Sequence, residues 1–232
     1  MELTAVKELV ILESDPNVPP GLVVEELREQ GVPFRLIRAH AGEPMPDPGT
    51  AAAVIVLGGS MGAGDDDLYP FLREIKGVIR ECVIHDTPFL GICLGGQLLS
   101  EALGTAVATG SRGEKGICGV SLTPEGVADP LFLGISSEFL TYQWHNDSFD
   151  LPAGCRLLAS SPLCPQQAIR HGAAVYGVQF HPEVTAAIVT QWHGDAARNA
   201  RFLPPFLEAE AEYLVSARTL LHNFFRIARL IF

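Results

Sequence analysis

Pro88-Phe89-Leu90-Gly91-Ile92-Cys93-Leu94-Gly95-Gly96-Gln97-Leu98-Leu99 reads as a buried strand that turns within one residue and runs into a helix. The short apolar run before Cys93 suits a strand covered on both faces. Small residues flanking Cys93 allow a strained strand-to-helix turn, the geometry of a nucleophile elbow. The following helix N-terminus aims backbone N–H groups and a positive dipole end at the sulfur, which favours a thiolate. Taken alone, the same turn fits a buried structural cysteine equally well.

Reading outward from this turn gives a repeating pattern. Leu9–Leu12 reads as a strand, Leu22–Gln30 as a helix stopped by Gly31, and Phe34–Ile37 as a second strand. A proline-rich loop covers Pro44 to Pro48, and Ala53–Leu57 is a third strand ending in Gly58-Gly59. Phe71–His85 is a second helix, and Leu98–Leu103 lies on a third. Strands alternating with helices predict an α/β fold: an open, mostly parallel sheet with helices on both faces. After Gly104 short β-prone pieces follow around Val107, Ile117–Leu122, Phe139–Tyr142, Leu157–Ala159, Gln167–Ile169 and Val175–Phe180. They are expected to extend the same sheet, partly antiparallel. Leu207–Ile231 reads as a terminal amphipathic helix. With no repeat and no linker, residues 1–232 are expected to form a single domain.

Composition narrows the function. Of 232 residues, 47% are hydrophobic and 19% charged, enough apolar material for a full core. The longest apolar run, Ala51–Leu57, is far short of a membrane span, so no membrane association is expected. A formal charge of −11 opposes phosphate backbones, so no nucleic-acid partner is expected. Met1–Glu8 has no basic, then apolar, leader pattern, and the five cysteines (82, 93, 118, 155 and 164) include no C-x-x-C pair. Reduced thiols and a cytoplasmic location are expected, with no metal and no cofactor. Asp65-Asp66-Asp67 reads as a solvated helix start before Leu68 rather than a metal site, Cys82 as a core residue, and Trp144 and Trp192 as packing residues, with a place flanking the pocket as the alternative.

A second motif bears on Cys93. Tyr176-Gly177-Val178-Gln179-Phe180 is a strand running into His181-Pro182-Glu183. In extended chain, residues two apart point to one side, so His181 and Glu183 can sit side by side. Pro182 biases His181 toward extended geometry. A carboxylate beside an imidazole fixes its tautomer and stabilises the imidazolium, the third role in a triad. Cys93, His181 and Glu183 are therefore the candidate catalytic residues. A third motif, Leu57-Gly58-Gly59-Ser60-Met61-Gly62, follows a central strand. One of its N–H groups with that of Leu94 would make an oxyanion hole, although a plain βα turn fits as well.

These motifs, with Leu68-Tyr69-Pro70, Glu114, Gly116, Gln143-Trp144-His145-Asn146-Asp147 and Leu221-His222-Asn223-Phe224-Phe225, resemble the class I (triad) glutamine amidotransferases. Within them the chain is most similar to stand-alone relatives of the glutaminase domain of GMP synthase, over roughly Val54 to Phe225. The resemblance implies a flavodoxin-like sheet of seven or more strands with the triad at its carboxyl edge. It implies that Cys93 attacks the amide of glutamine and forms a γ-glutamyl thioester, with His181 protonating the departing ammonia. Gly59 and Leu94 would supply oxyanion N–H groups, and Gln97, His145 and Asp147 would hold the substrate. Asn146 stands where the family pattern has glycine, which puts a left-handed backbone there in question. The chain carries no phosphate loop of either ATP-binding type, so any amination requires a separate synthase partner. A free-standing γ-glutamyl amine or peptide hydrolase, and a non-catalytic module of the same fold, are the competing readings.

Overall fold

The computed structural model describes residues 7–232; most of the stretch read for a leader, Met1–Val6, lies outside them. In chain order the elements are β1 (Leu9–Glu13), α1 (Leu22–Glu29), β2 (Phe34–Arg38), β3 (Ala53–Val56), α2 (Phe71–Ile84), β4 (Phe89–Ile92), α3 (Leu94–Ala102) and β5 (Val107–Ala108). There follow β6 (Glu114–Leu122), α4 (Pro124–Val127), β7 (Glu138–His145), β8 (Ser148–Phe149), β9 (Arg156–Ser160), β10 (Ala168–His171), β11 (Val175–Val178), α5 (Ala186–Trp192) and α6 (Ala196–Ile227).

One sheet of nine strands runs in the order β2-β1-β3-β4-β11-β10-β9-β6-β7. From β2 to β11 neighbours are parallel; from β11 to β7 they are antiparallel. The alternation of each strand sorts its side chains between two cores. Leu9 and Ile11 of β1, with Ala53 and Ile55 of β3, join the layer of α1 and α6. Val10, Leu12, Val54 and Val56 join the opposite layer with α2 and α3. Both faces are covered, which is why these strands read as unbroken apolar runs. Among the described residues no helix is long and apolar enough to cross a membrane.

Three local expectations need correction. The Val107 strand does not extend the main sheet: β5 pairs with β8 in a separate two-stranded ribbon. The terminal helix starts not at Leu207 but at Ala196, where Asp195 caps it by accepting from the Arg198 N–H. Pro204 and Pro205 lie inside it, and their missing donors argue against a continuous helix on sequence grounds. Packing overrides this, because Phe202 stacks on His193 (4.6 Å) and meets Trp144 edge-on (5.0 Å). Asp65-Asp66-Asp67 is a tethered loop rather than a helix start. Asp65 accepts the Gly62 N–H, and Asp66 pairs at 2.7 Å with buried Lys76, which also bonds Glu101.

The elbow is as tight as its glycines suggest. Cys93 has φ 51°, a left-handed value rare outside glycine, and it caps α3. A Cβ on Gly95 would collide with the Val56 carbonyl, and one on Gly91 with the Gly95 backbone. Gly95→Ala is therefore expected to destabilise the protein by about 1–3 kcal/mol, the usual cost of overpacking. Chemical denaturation followed by circular dichroism checks this; an unchanged midpoint would refute the close approach.

Candidate active site

Three loops at the carboxyl ends of parallel strands meet in one cleft. Gly59 follows β3, Cys93 follows β4 and His181 follows β11, and all three line a cavity of about 430 Å³. This is within the usual 300–1,000 Å³ or so of small-molecule sites. Cys93 is pinned to the neighbouring strand by its N–H, which donates to the Val178 carbonyl at 2.8 Å.

His181 and Glu183 make a buried pair, with Nδ1 2.7 Å from the Glu183 carboxylate. His181 is 2% exposed and Glu183 0%. Burial by itself would lower the imidazole pKa, but the negative charges of Glu183 and Cys93 outweigh it and raise it to about 10. The other ring nitrogen, Nε2, is buried with no hydrogen-bond partner. His181 is also fixed through its backbone. Its N–H donates to the Tyr142 carbonyl at 2.8 Å, and its carbonyl accepts from the Tyr213 hydroxyl at 3.0 Å. The Trp192 ring meets the imidazole edge-on at 5.0 Å, and its indole N–H donates to the Asn17 carbonyl.

The predicted oxyanion residues are adjacent. A Cβ on Gly59 would come within 2.7 Å of Leu94 Cδ2. Leu94 opens α3, so its N–H has no partner within the helix. The glycine-rich loop is held by Asp15, just after β1, which accepts from the Ser60 N–H (3.0 Å) and hydroxyl (2.5 Å). Burial favours a neutral Asp15, yet the hydrogen bonds from Ser60 and Asn17 outweigh it and hold the carboxyl below its usual range.

Gln97, His145 and Asp147 also meet at this cleft. The Asp147 carbonyl accepts from Gln97 Nε2 at 3.1 Å and from His145 Nδ1 at 2.8 Å, while its side chain accepts the Gly110 N–H. Asn146 does not take positive φ, so replacing glycine there imposes no left-handed strain. Behind the loop, Glu114 accepts both Ser161 and Gln167 and lies 3.8 Å from His145 Nε2. Among the described residues, Glu114, His145 and Cys164 form a group of metal-ligand types. Cys164 is engaged with Ser148 at 3.0 Å, and burial raises its thiol pKa, which disfavours the thiolate a metal needs. The group reads as a clamp on the 145–147 loop.

Asp15, Gln179 and Tyr213 belong to this site, and sequence reasoning does not single them out as site residues; Trp144 and Trp192, read as packing with a pocket-flanking alternative, line the cavity. Asp15 and Tyr213 reach it over long sequence separations. Gln179 has a local signal, the same two-residue step that joins Glu183 to His181, taken once more backward.

The cleft of this open α/β sheet thus holds a cysteine elbow and a buried histidine–carboxylate pair. The chain belongs to the family described as Glutamine amidotransferase class-I, whose profile matches residues 21–188. It is 32% identical over 173 residues to the putative glutamine amidotransferase-like protein YfeJ of Salmonella typhimurium, covering 73% of this chain and 72% of that one. It is 33% identical over 167 residues to a glutamine-hydrolyzing GMP synthase subunit from Archaeoglobus fulgidus, covering 70% of this chain and 82% of that one. A glutamine amidotransferase structure from Thermotoga maritima superposes with TM-score 0.84 at 28% identity, covering 96% of this chain and 98% of that one.

Proposed function

We propose that the chain hydrolyses the side-chain amide of glutamine through a γ-glutamyl thioester on Cys93, with His181 and Glu183 completing the triad. The observation that carries this reading is the elbow geometry of Cys93 in the same cleft as the buried His181–Glu183 pair. The Cys93 sulfur attacks the amide carbon, and the developing oxyanion is met by the N–H groups of Gly59 and Leu94. His181 gives its proton to the leaving nitrogen as the C–N bond breaks, releasing ammonia. It then takes a proton from the water that attacks the thioester; the C–S bond breaks, glutamate leaves, and the thiolate returns. Glu183 fixes the imidazole and stabilises its charge. Gln97, His145 and Asp147 hold the glutamyl end. Similarity to the Archaeoglobus fulgidus GMP synthase protein supports an ATP-using synthase partner as the acceptor of ammonia.

The cavity also has room beyond a glutamine side chain, and Trp144 and Trp192 line it. That favours, as a second reading, a free-standing hydrolase of γ-glutamyl amines or peptides with the same triad. A turnover comparison on glutamine and a panel of γ-glutamyl amines and peptides, with and without ATP, separates the two. For the isolated chain both readings leave the hydrolysis rate unchanged by ATP; an ATP requirement there would contradict both. Slow glutaminase activity that a synthase accelerates supports the first. Fast partner-free turnover on a γ-glutamyl peptide supports the second.

The raised His181 sets a pH expectation. The proton that His181 donates is present through neutrality and is lost as pH rises through about 10. The same pair stabilises the fold below the ordinary histidine value near 6.5, and that contribution is lost over the same rise. Glu183→Gln removes a charge that raises the imidazole, so the alkaline limb of kcat is expected to move to lower pH. A pH–rate profile that keeps its alkaline limb would contradict the pairing.

A further inference from the structure

Gln179 is fully buried, directly after β11 and two residues before His181. A buried carboxamide is costly unless its donors and acceptor find partners. Its Nε2 lies 3.5 Å from Cys93 Sγ, and its Oε1 accepts from Gln97 Nε2 at 3.3 Å. The polarity of this chain is set from its far end. The Asp147 carbonyl can only accept, so Gln97 must present its NH₂ there. The second hydrogen of that NH₂ then meets Gln179 Oε1, which leaves the Gln179 NH₂ facing the sulfur. Backbone bonds hold the arrangement: the Gln179 N–H donates to the Gln167 carbonyl at 2.9 Å, and the Cys93 N–H to Val178 at 2.8 Å.

We propose that Gln179 is a catalytic residue whose side-chain N–H stabilises the Cys93 thiolate; this rests on Cys93 being the nucleophile. A thiolate is a strong acceptor and a thioester sulfur a weak one, so the bond favours the two moments at which sulfur carries charge. In the resting enzyme it holds the thiolate opposite the imidazolium. During hydrolysis of the thioester, water adds to the acyl carbon and gives its proton to His181. The C–S bond then breaks, and its electron pair passes to the sulfur that Gln179 faces. Through Gln97 the same bond chain reaches Asp147 on the glutamyl side of the cleft, so the residue that meets the sulfur is positioned by the loop that meets the substrate.

The test is the pH dependence of Cys93 alkylation by iodoacetamide, read by peptide mass spectrometry, in wild type, Gln179→Glu and Gln179→Met. Gln179→Glu keeps the size and the acceptor for Gln97 but turns a carboxylate oxygen toward the sulfur. The midpoint of its profile is expected to rise by about one pH unit or more, from the lost hydrogen bond to a charged group together with the repulsion of the new carboxylate. Gln179→Met, which lacks the donor, is expected to rise less than Gln179→Glu, and single-turnover breakdown of the thioester should slow in both. A packing role alone also predicts a rise in Gln179→Glu, because the new carboxylate repels a thiolate at this range, but for Gln179→Met it predicts a change in rate at every pH without a midpoint shift. An unshifted midpoint in Gln179→Met overturns the assignment, and Gln179→Leu, which also lacks the donor, decides it if Gln179→Met does not fold. An unshifted midpoint with normal labelling of Cys93 overturns Gln179 alone. Failure of Cys93 to react in the wild type, while other cysteines do, overturns the nucleophile as well.

Discussion

Cys93→Ser is expected to reduce amide hydrolysis by at least ~10⁴-fold while leaving the thermal unfolding midpoint nearly unchanged. The substitution exchanges one atom at a residue that is 5% exposed, so packing changes little. Chemistry changes much more. A serine hydroxyl ionises far above neutral pH and is a much weaker nucleophile than a thiol in the same place. Under the proposed mechanism the α3 N-terminus and His181 serve a negative sulfur, a charge that a neutral hydroxyl does not supply. Steady-state assays with the fraction folded measured in parallel check this. Residual turnover within tenfold of wild type would exclude Cys93 as the nucleophile.

His181→Ala is expected to lower kcat by about 10²–10⁴-fold, the range of general acid–base catalysis, and by more than Glu183→Gln does. In the proposed mechanism His181 moves the proton in both halves of the cycle, whereas Glu183 only orients it and holds its charge. The variant carries a second effect. Glu183 is 0% exposed, so removing its partner leaves an uncompensated buried carboxylate, a cost of about 3–5 kcal/mol. Activity should therefore be measured per folded molecule, well below the variant's own unfolding midpoint. If kcat per folded molecule survives, the proton-transfer role fails even if stability drops.

The legible part of the site is the part written locally. Cys93 announces its turn through glycines two residues away on either side, and His181 and Glu183 share a side because only Pro182 separates them. The strands of the parallel half are legible for a related reason: burial on both faces makes Leu9–Leu12 and Ala53–Leu57 continuous apolar runs. What depends on distant partners is not. Asp15 carries no sign that it will hold Ser60, 45 residues away. Tyr213 looks like one more residue of an amphipathic helix, yet its hydroxyl holds the carbonyl of His181. The first turns of α6 are hidden because Pro204-Pro205 signals a break, whereas the Asp195 cap and the contacts of Phe202 with Trp144 and His193 support them. The two-residue strands β5 and β8 are too short to carry any periodicity.

The most direct test of the Cys93 assignment is covalent capture. A chloroketone analogue of glutamine at neutral pH, followed by peptide mass spectrometry, reads all five thiols at once. Burial pushes Cys82 up to about 12 and Cys118 and Cys155 to about 11, and it raises Cys164 as well, so these four are expected to stay protonated and slow. The expected result is one label per chain, on Cys93, appearing at the rate at which hydrolysis is lost and suppressed by excess substrate. Labels spread over Cys118 and Cys155, or full inactivation with Cys93 unmodified, would contradict it.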